Sequence, residues 1–404
     1  MGDGTTGQVL PAHSGGARRP EAPRHRGERP RRRRPVGALL TAVLLGALVT
    51  AVVPAPAAQA YGTTADQRWY PTDGTVYAMV VSGDVVYLGG TFTSWVDPAT
   101  GARAARSRLA AVDADTGALL PWNPGADAVV RALAVGADGT VYAGGDFTRA
   151  GGGRAERIAA LTPGGAPLAG FAASADDVVR DLVAGDGELV VAGNFTRVGG
   201  VRRVGVAEVD GRTGSTDPTF DAGVGQGRVR ALARDGDRLY LGGSFRTLRS
   251  QPRSFIAAVS ATDGAPTDWL PNPACDDCPL LDLTLSGDNV VAAVGGPGGR
   301  VVNWSAVTAR TRWTRNADGD VQTVAVHGGQ VYAGGHFGPR FYLTTRHQLA
   351  VLDLVTAAVQ SYAIPFVGND HPGLWAVQVD ADAVRLGGGF ALAGSPVRRF
   401  ATFR

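Results

Sequence analysis

The sequence predicts an all-β fold, a seven-bladed β-propeller with four-stranded blades, and three observations lead to that prediction. A short apolar strand ending in Gly-Gly-x-Phe returns at intervals of about 50 residues, which is typical of propellers. Each copy lies in a unit of about four short strands separated by turn residues. The last unit is one strand short, and a matching segment precedes the first unit. The copies lie at 88–92, 143–147, 192–195, 241–245, 294–298, 333–337 and 386–390.

The second unit shows the strands most plainly. An alternating strand at 129–135 is followed by a hairpin turn at Asp138-Gly139 and by the motif strand at 141–147. A loop rich in glycine and arginine leads to a third strand at 158–161, and a weaker fourth strand follows. Four antiparallel strands joined by tight turns make one propeller blade.

The repeated motif has a packing explanation. Glycine lets a neighbouring backbone approach closely, and the phenylalanine can fold back between adjacent blades. An aromatic residue ends most of the fourth strands and is expected in the same seam. These aromatic residues are Trp122, Phe171, Phe220, Trp269, Trp313 and Tyr362. The motif is therefore a structural corner, and the loop that follows it is the better candidate for function.

The two ends of the chain predict how the propeller closes. The seventh unit has three predicted strands within 374–403. Residues 68–71 read Arg-Trp-Tyr-Pro, which matches the ending of the fourth strand at 121–124, Pro-Trp-Asn-Pro. We therefore expect the N-terminal strand to complete the last blade, which would leave no open sheet edge there. The prediction is a single propeller domain over residues 61–404.

Residues 1–60 are expected to be a secretory signal peptide with a long basic first part. A run of four arginines precedes an apolar stretch at 36–53, and a small-residue cleavage site ends at Ala60. We expect cleavage after Ala60 and a secreted, extracellular protein, either released or held at the cell surface. An uncleaved membrane anchor is the alternative, because the apolar stretch is just long enough to span a bilayer.

Removing this leader reverses the charge of the chain. The leader carries nine arginines and three acids, out of 39 basic and 36 acidic residues in the whole sequence. The remainder has 30 basic and 33 acidic residues, a net charge of about −3. Such a balance does not indicate nucleic acid as a partner. Every basic residue is arginine, which is typical of GC-rich coding sequences such as those of actinobacteria.

The repeat resembles the delta-60 type propeller repeats of bacterial secreted and surface proteins. The shared pattern is Val-Tyr-x-Gly-Gly-x-Phe-Thr, then Gly-Gly and Arg, then Ala-x-x-Asp-x-x-Thr-Gly and Trp-x-Pro. This resemblance implies the propeller fold over nearly all of 61–404, and it implies no settled catalytic residues. The unit around 294–298 departs from the pattern, since its phenylalanine is missing and its loop is short.

A weaker resemblance relates the stretch 111–122 to the repeats of quinoprotein-like propellers. The pattern is Ala-Val-Asp-Ala-Asp-Thr-Gly followed by Trp122. The enzymes of that group hold a calcium-bound quinone beside two adjacent cysteines, whereas two residues separate Cys275 from Cys278 here. The non-catalytic members are the closer comparison, and we expect no cofactor.

Cys275 and Cys278 are the only cysteines, and their spacing allows a redox pair, half a zinc site or a local disulfide. No second pair exists to complete a zinc site, and the two intervening acids would raise the thiol pKa values. We expect a structural disulfide. A metal site from His336, His347 and His371 is geometrically allowed, but scattered surface histidines are the usual case and no metal is expected.

Arginines cluster in the loops after the corners and predict a basic belt on one face. The belt residues that we expect to contact a ligand are Arg154, Arg157, Arg202, Arg203, Arg249, Arg253 and Arg346. The connections between blades on that face are acidic and are expected nearer the channel mouth, so the two sets could simply pair with each other. The alternative is a face that grips an anion through bidentate arginine contacts.

These observations predict a binding scaffold rather than an enzyme. We expect a monomer that binds a protein or an anionic polymer of the cell envelope through its loop face. The sequence contains no Gly-x-Ser-x-Gly motif and no Ser-His-Asp order. The alternative is a glycan-active or quinone-dependent enzyme, which would need acids or histidines to converge at the channel mouth with shifted pKa values.

Overall fold

A computed structural model describes residues 61–66, 68–273, 275–296, 298–367 and 373–404. The predicted leader lies outside these residues. The described chain is built from β-strands and contains no helix, as the short apolar runs between turn residues predict. Among the residues described, none therefore forms a helix long and apolar enough to cross a membrane.

The strands are short and are separated by the turns that Gly, Asp and Pro mark in the sequence. In the first part of the chain they are β1 (Tyr70–Pro71), β2 (Val76–Ser82), β3 (Val85–Gly90), β4 (Ser94–Val96), β5 (Arg103–Ala105), β6 (Leu109–Asp113), β7 (Val130–Val135), β8 (Val141–Gly145), β9 (Arg149–Ala150), β10 (Gly153–Arg154), β11 (Ile158–Leu161), β12 (Val179–Ala184), β13 (Glu188–Gly193), β14 (Arg197–Val198), β15 (Val201–Arg202) and β16 (Val206–Asp210). In the second part they are β17 (Val229–Asp235), β18 (Arg238–Gly243), β19 (Thr247–Leu248), β20 (Gln251–Pro252), β21 (Ile256–Ser260), β22 (Leu280–Ser286), β23 (Asn289–Val294), β24 (Arg300–Ser305), β25 (Thr311–Asn316), β26 (Val321–His327), β27 (Gln330–Gly335), β28 (Arg340–Phe341), β29 (Thr344–Thr345), β30 (Leu349–Asp353), β31 (Gly373–Val379), β32 (Val384–Ala391) and β33 (Arg398–Phe403).

Within the described residues, seven antiparallel sheets contain most of these strands, and we number them one to seven in chain order. They are β2-β3-β6, β7-β8-β11, β12-β13-β16, β17-β18-β21, β22-β23-β24-β25, β26-β27-β30 and β31-β32-β33. Short hairpins project from the loops after the corners, namely β9-β10, β14-β15, β19-β20 and β28-β29. In sheet one the equivalent hairpin, β4-β5, is extended by β1.

The fourth strand of most sheets is much shorter than the repeat predicts. In five sheets it is reduced to a single bridge with the third strand, from Val112 to Leu119, Leu161 to Pro167, Val209 to Thr216, Val259 to Pro266 and Leu352 to Val359. In sheets one to four, a proline lies at the bridging residue or two residues after it, and proline cannot donate to a sheet ladder. In sheet six the next proline, Pro365, lies six residues after the bridge. In the part of the chain that is described, only sheet five has a full fourth strand, β25, whose sequence contains no proline.

The first strands of the seven sheets contact one another in succession. β2 contacts β7, each later first strand contacts the next, and β31 contacts β2. The first glycine of the corner makes room for this contact. A Cβ on Gly144 would lie 2.5 Å from Cγ1 of Val179 in the next sheet, and a Cβ on Gly387 would lie 2.7 Å from Cγ1 of Val76. The same packing thus joins sheet two to sheet three and sheet seven to sheet one.

The two ends of the described chain meet at sheet seven. The Gly62 N–H donates to the Arg404 carbonyl at 2.6 Å, and the Asp66 N–H donates to the Thr402 carbonyl at 2.8 Å. The segment beside β33 is therefore 62–66, which precedes the Arg-Trp-Tyr-Pro stretch that the sequence singled out. The last two residues of that stretch form β1 and pair with β4 instead.

Most aromatic residues of the repeat are buried, whereas Phe171 and Tyr362 are partly exposed. The corner phenylalanines Phe92, Phe147, Phe195, Phe245, Phe337 and Phe390 are all buried. Trp122 packs edge to face on Tyr87 of its own sheet with ring centroids 4.9 Å apart. Trp122 and Phe147 belong to one apolar cluster that spans sheets one and two. The structure thus confirms that these side chains pack in a seam.

Candidate functional site

In sheets one, two, three, four and six, the corner is held by a residue in the left-handed conformation. In sheet two the Arg157 N–H donates to the Phe147 carbonyl at 2.9 Å, and the Arg157 carbonyl accepts from the Gly145 N–H at 3.1 Å. Arg157 has a φ of 70°. Gly145 has no room for a side chain, because a Cβ there would lie 2.1 Å from the Val129 carbonyl oxygen. The corner is therefore a structural device, as its sequence predicts.

In four of the described sheets, an aspartate that precedes the first strand caps the corner. Asp127 accepts hydrogen bonds from the Thr148 hydroxyl at 2.6 Å and from the Thr148 and Arg149 N–H groups at 2.8 and 3.0 Å. Burial alone would raise its pKa, but together these bonds outweigh burial and lower the pKa of Asp127. Equivalent caps in other sheets are Asp73, Asp176 and Asp318. These acidic connections therefore hold the loops.

Four of the loops after the corners use an arginine to fix the loop to the fourth segment of the same sheet. The Arg203 guanidinium donates to the Asp217 and Pro218 carbonyls at 3.0 and 2.9 Å, and Arg203 is 7% exposed. The residues that act in this way, which we call the tie arginines, are Arg106, Arg203, Arg253 and Arg346. They satisfy carbonyls that the reduced fourth strand leaves without a ladder partner.

Two further residues of the predicted belt also bind within their own repeat. The Arg157 guanidinium donates to the Asp146 carbonyl at 2.9 Å. The Arg249 guanidinium donates to the Asp221 carbonyl at 2.9 Å and lies 3.7 Å from a carboxylate oxygen of Asp263. The belt arginines are thus distributed among separate loops.

Arg154 and Arg202 complete the predicted belt and leave more of their side chains in solvent. Arg154 pairs with Glu156 at 2.5 Å, and its side chain is 79% exposed. Arg202 is exposed in β15. A binding role for the belt stays a prediction, and Arg154, Arg202 and Arg249 are its exposed members.

A cavity of about 380 Å³ lies where the first strands of all seven sheets meet. We call it the central cavity. Each first strand carries a register irregularity near its start, where one extra residue bulges from the ladder. The seven bulge residues line this cavity, namely Tyr77, Arg131, Arg180, Arg230, Leu281, Gln322 and Trp375. A bulge re-aims a side chain, and here seven side chains are aimed at one space.

Three consecutive sheets contribute an arginine to the central cavity, and we call Arg131, Arg180 and Arg230 the cavity arginines. Arg131 pairs with Asp146 at 2.6 Å. The Arg180 Nε–H donates to the Asn194 side-chain oxygen at 2.9 Å. Asp146 and Asn194 are the variable residues of the corner motif, so the corners hold the cavity arginines in place.

The cavity arginines repel one another. Burial and, after it, the positive charges of Arg230, Arg131 and Arg228 lower the pKa of Arg180 to about 10. Burial, Arg228 and Arg131 also lower the pKa of Arg230, while the charge of Asp320 opposes that change. Like charges held together in a cleft are a recognised mark of a functional site, since an anion would relieve their repulsion.

Two donors that line the central cavity have no hydrogen-bond partner within the described chain. They are the buried Nε of Arg230 and the buried indole nitrogen of Trp375. Trp375 packs edge to face on Tyr77 with centroids 5.3 Å apart, and Arg131 lies 5.5 Å from the centre of the Tyr77 ring. A buried donor without a partner costs roughly 1–3 kcal/mol. Aromatic walls with a few convergent polar groups are typical of ligand sites.

Two aspartates also line the central cavity. Asp181 accepts the N–H groups of Leu182 at 2.8 Å and of Leu232 in sheet four at 2.7 Å, and Asp282 makes the equivalent bonds between sheets five and six. Burial and the charge of Asp282 raise the pKa of Asp181 to about 7, and burial raises the pKa of Asp282 to about 6. Shifted acids here are what the enzymatic alternative requires. Both oxygens of each carboxylate are engaged by main-chain N–H groups, however, which is the arrangement of a structural bridge.

Sequence reasoning missed the cavity arginines because they lie in strands that alternate normally. A signal was available in the aligned repeats. A buried valine begins the first strand of the first four sheets, and the residue after it is tyrosine once and arginine three times. Arginine at one position of three consecutive repeats indicates a shared location, since equivalent residues of a propeller face the same axis.

The predicted disulfide between Cys275 and Cys278 is present in the connection between sheets four and five. Arg246, which follows the corner phenylalanine of sheet four, donates to the Asp276 carbonyl at 2.9 Å and pairs with Asp277 at 3.1 Å. The disulfide loop is therefore fixed to the corner of sheet four.

Within the described ranges, no group of three histidine, cysteine or acidic side chains is placed so that it could hold a metal ion. His371, one of the three histidines considered above, lies outside the described residues.

Comparison with known proteins identifies the fold as a β-propeller. A family model described as a domain of unknown function (DUF5122) beta-propeller matches residues 184–220. The WD40 beta propeller domain of Doa1 is similar, with a TM-score of 0.57 and 9% identity over 86% of this chain and 97% of that chain. The computationally designed Ika8 protein is similar, with a TM-score of 0.51 and 15% identity over 85% of this chain and 99% of that chain. No curated protein matches. At these identities the comparisons show the fold alone.

Proposed function

We propose that this chain is a non-catalytic binding propeller whose central cavity recognises an anionic group of a protein or an envelope polymer. The observation that supports it most is the convergence of three cavity arginines beside two donors without partners, Arg230 Nε and the Trp375 indole. An anion would accept hydrogen bonds from these donors and would relieve the repulsion among the guanidinium groups. The propeller fold supports a binding role, because it brings the ends of many strands around one axis.

The proposal includes a closed ring of seven blades. Seven sheets and the contact of β31 with β2 support the blade number. The bonds from Gly62 and Asp66 to the last strand support closure by the N-terminal segment. We propose that each blade has four strands in principle, as in sheet five, and that proline shortens the fourth strand elsewhere.

Secretion is part of the same proposal. Tyr61, the first residue after the predicted cleavage site, is buried and packs against Tyr332 and Tyr362. The ring therefore begins where the leader is proposed to end. N-terminal sequencing of the protein recovered from the culture medium should start at Tyr61. A start within the leader, or recovery only from the membrane fraction, would favour the anchored alternative.

The binding test compares two double variants, each of which removes two positive charges. Calorimetry with inorganic phosphate, polygalacturonate and poly-L-glutamate should detect binding by the unmodified chain. The affinity should fall steeply as the salt concentration rises. The double variant R180Q/R230Q should lose at least tenfold in affinity. The matched control R154Q/R202Q, in the belt, should keep its affinity.

If only R154Q/R202Q loses affinity, the belt and not the central cavity is the binding site. Absence of binding to all three probes would contradict the proposal. A preference for polygalacturonate indicates a sugar polymer, and a preference for poly-L-glutamate indicates an acidic protein.

A further inference from the structure

Sheet two lacks the tie arginine that four other sheets have. The equivalent position is Ala155, and a main-chain hydrogen bond fixes the equivalence. The Ala155 N–H donates to the Thr148 carbonyl at 2.9 Å, just as the Arg203 N–H donates to the Thr196 carbonyl at 2.9 Å. The N–H groups of the other three tie arginines make the same bond across their own loops. The loop of sheet two therefore has the same backbone and a truncated side chain.

The truncated side chain faces a cavity of about 320 Å³, which we call the blade-two pocket. Its walls include Ala155, Leu168 and Phe171. Leu168 is the counterpart of Asp217, because the N–H of each donates to the third strand of its own sheet, at 2.8 and 2.9 Å. The Leu168 carbonyl thus stands where a tie arginine would find its acceptor. It receives the Phe171 N–H at 3.2 Å, a long hydrogen bond, and a carbonyl oxygen can accept a second donor.

Sheet two also has an acid at a position where the loops with a tie arginine have none. Glu156 follows Ala155 and lines the blade-two pocket, whereas the residue after a tie arginine is Ser107, Val204, Ser254 or His347. The Glu156 side chain is 42% exposed and pairs with Arg154, which also lines the blade-two pocket. In this sheet, the space that a tie arginine fills elsewhere is open, and a carboxylate with its ion-pair partner lies beside it.

We propose that the blade-two pocket binds an arginine side chain presented by a partner protein. The incoming guanidinium would donate to the Leu168 carbonyl and the Glu156 carboxylate, and its methylene groups would lie against Leu168 and Phe171. The four tie arginines show that this fold accommodates a guanidinium at that place. Lysine is a poorer ligand, because one ammonium group lacks the planar set of donors that reaches two separate acceptors.

This pocket is independent of the central cavity. It selects a cation, whereas the three cavity arginines select an anion, and the two sets share no residue. Failure of one proposal therefore leaves the other standing.

The test uses the full-length chain and two probes that differ in their head group, N-acetyl-arginine methylamide and N-acetyl-lysine methylamide. Binding measured by calorimetry or by NMR shifts should be at least tenfold tighter for the arginine probe. Ala155→Arg restores the tie arginine and should abolish binding. Ala105→Arg is the matched control, because it adds an arginine to the same type of loop in sheet one, beside the tie residue Arg106, and it should leave binding unchanged.

Glu156→Gln keeps the test decisive if Ala155→Arg fails to fold, and it should weaken the arginine probe severalfold. Equal affinity for the two probes would overturn the proposal. So would undiminished binding by a folded Ala155→Arg protein, or an absence of binding at the solubility limit of the arginine probe.

Discussion

The tie arginines and the cavity arginines have the same side chain and use it in opposite ways. A tie arginine such as Arg203 gives its guanidinium to main-chain carbonyls of its own sheet, where the short fourth strand leaves acceptors open. Arg230 instead lies among other arginines, and burial and their positive charges lower its pKa. Main-chain carbonyl acceptors therefore mark the tie arginines, whereas neighbouring positive charges mark Arg230. The density of arginines in the loops, which predicts the belt, does not distinguish tie arginines from cavity arginines.

Among the arginine substitutions, the largest expected effect is on stability, from removing a tie arginine. Arg203→Ala should lower the free energy of unfolding by about 3 kcal/mol, because two carbonyls lose their donor and a buried space opens. Urea unfolding measures this change. Arg202→Ala, at the exposed neighbour, is the control and should stay within about 0.5 kcal/mol of the unmodified chain. Equal losses in both variants would remove the distinction between tie and surface arginines.

The reciprocal experiment removes a cavity arginine. Arg230→Ala should leave the free energy of unfolding unchanged or raise it, since a repelled cation with an unmade hydrogen bond disappears. Affinity for the anionic probe should fall at least tenfold, which corresponds to about 1.4 kcal/mol. Urea unfolding and calorimetry on one preparation give both numbers. Destabilisation as large as that of Arg203→Ala would mean that Arg230 is also structural.

The carboxylates of the central cavity predict a pH dependence of stability. The pKa of Asp181 is raised to about 7 and that of Asp282 to about 6, so the folded chain holds these protons at a pH where the unfolded chain has released them. The contribution of these two groups to the free energy of unfolding is complete below about pH 4. The contribution of Asp282 is lost as the pH rises to about 6, and that of Asp181 as the pH rises to about 7. Each group can contribute a slope of up to about 1.4 kcal/mol per pH unit in its window.

Urea unfolding between pH 4.5 and 7.5 checks this sign. Asp282→Asn should remove the part of the pH dependence of the free energy of unfolding that ends near pH 6. Asp181→Asn should remove the part that ends near pH 7. A stability that rises with pH throughout this range, with slopes that neither variant alters, would show that these carboxylates ionise freely inside the central cavity.

The smallest expected effect is a gain from supplying the missing tie. Ala155→Arg should raise the free energy of unfolding by about 1 kcal/mol through a charge-assisted bond to the Leu168 carbonyl. Thermal unfolding detects the gain, and Ala105→Arg, which adds charge without a tie, should show none. A lower stability for Ala155→Arg would mean that the loop of sheet two differs from the other loops in more than its side chain.

The repeated corner was enough to predict the propeller, because its glycines and phenylalanine have one packing role in every copy. Buried Phe147 and the unsubstitutable Gly145 show why such a signal survives in sequence. The disulfide was also predictable, since spacing and context left few alternatives. The fourth strands were overestimated because the alternating pattern continues into segments where proline removes a ladder donor.

The residues of the candidate site were harder to predict for two physical reasons. A bulge shifts one residue out of register without disturbing the apolar pattern, so nothing in the first strands marks Arg180 as facing the axis. In the loops, Arg203 and Arg202 are adjacent and chemically identical, yet one is buried against carbonyls and the other is exposed. The acceptor for Arg203 lies in a segment about 14 residues further along the chain. Local sequence patterns do not reach that far, so they cannot show which of the two arginines is buried.

The hydrogen bonds between residues 62–66 and 402–404 have a consequence for folding order. About 340 residues separate the donors from the acceptors, so these contacts carry a high loop-closure cost and are expected to form late in folding. Until they form, the outer edge of β33 is open at Thr402 and Arg404. An open strand edge can pair with another chain, so slow docking of residues 62–66 would favour association between folding molecules.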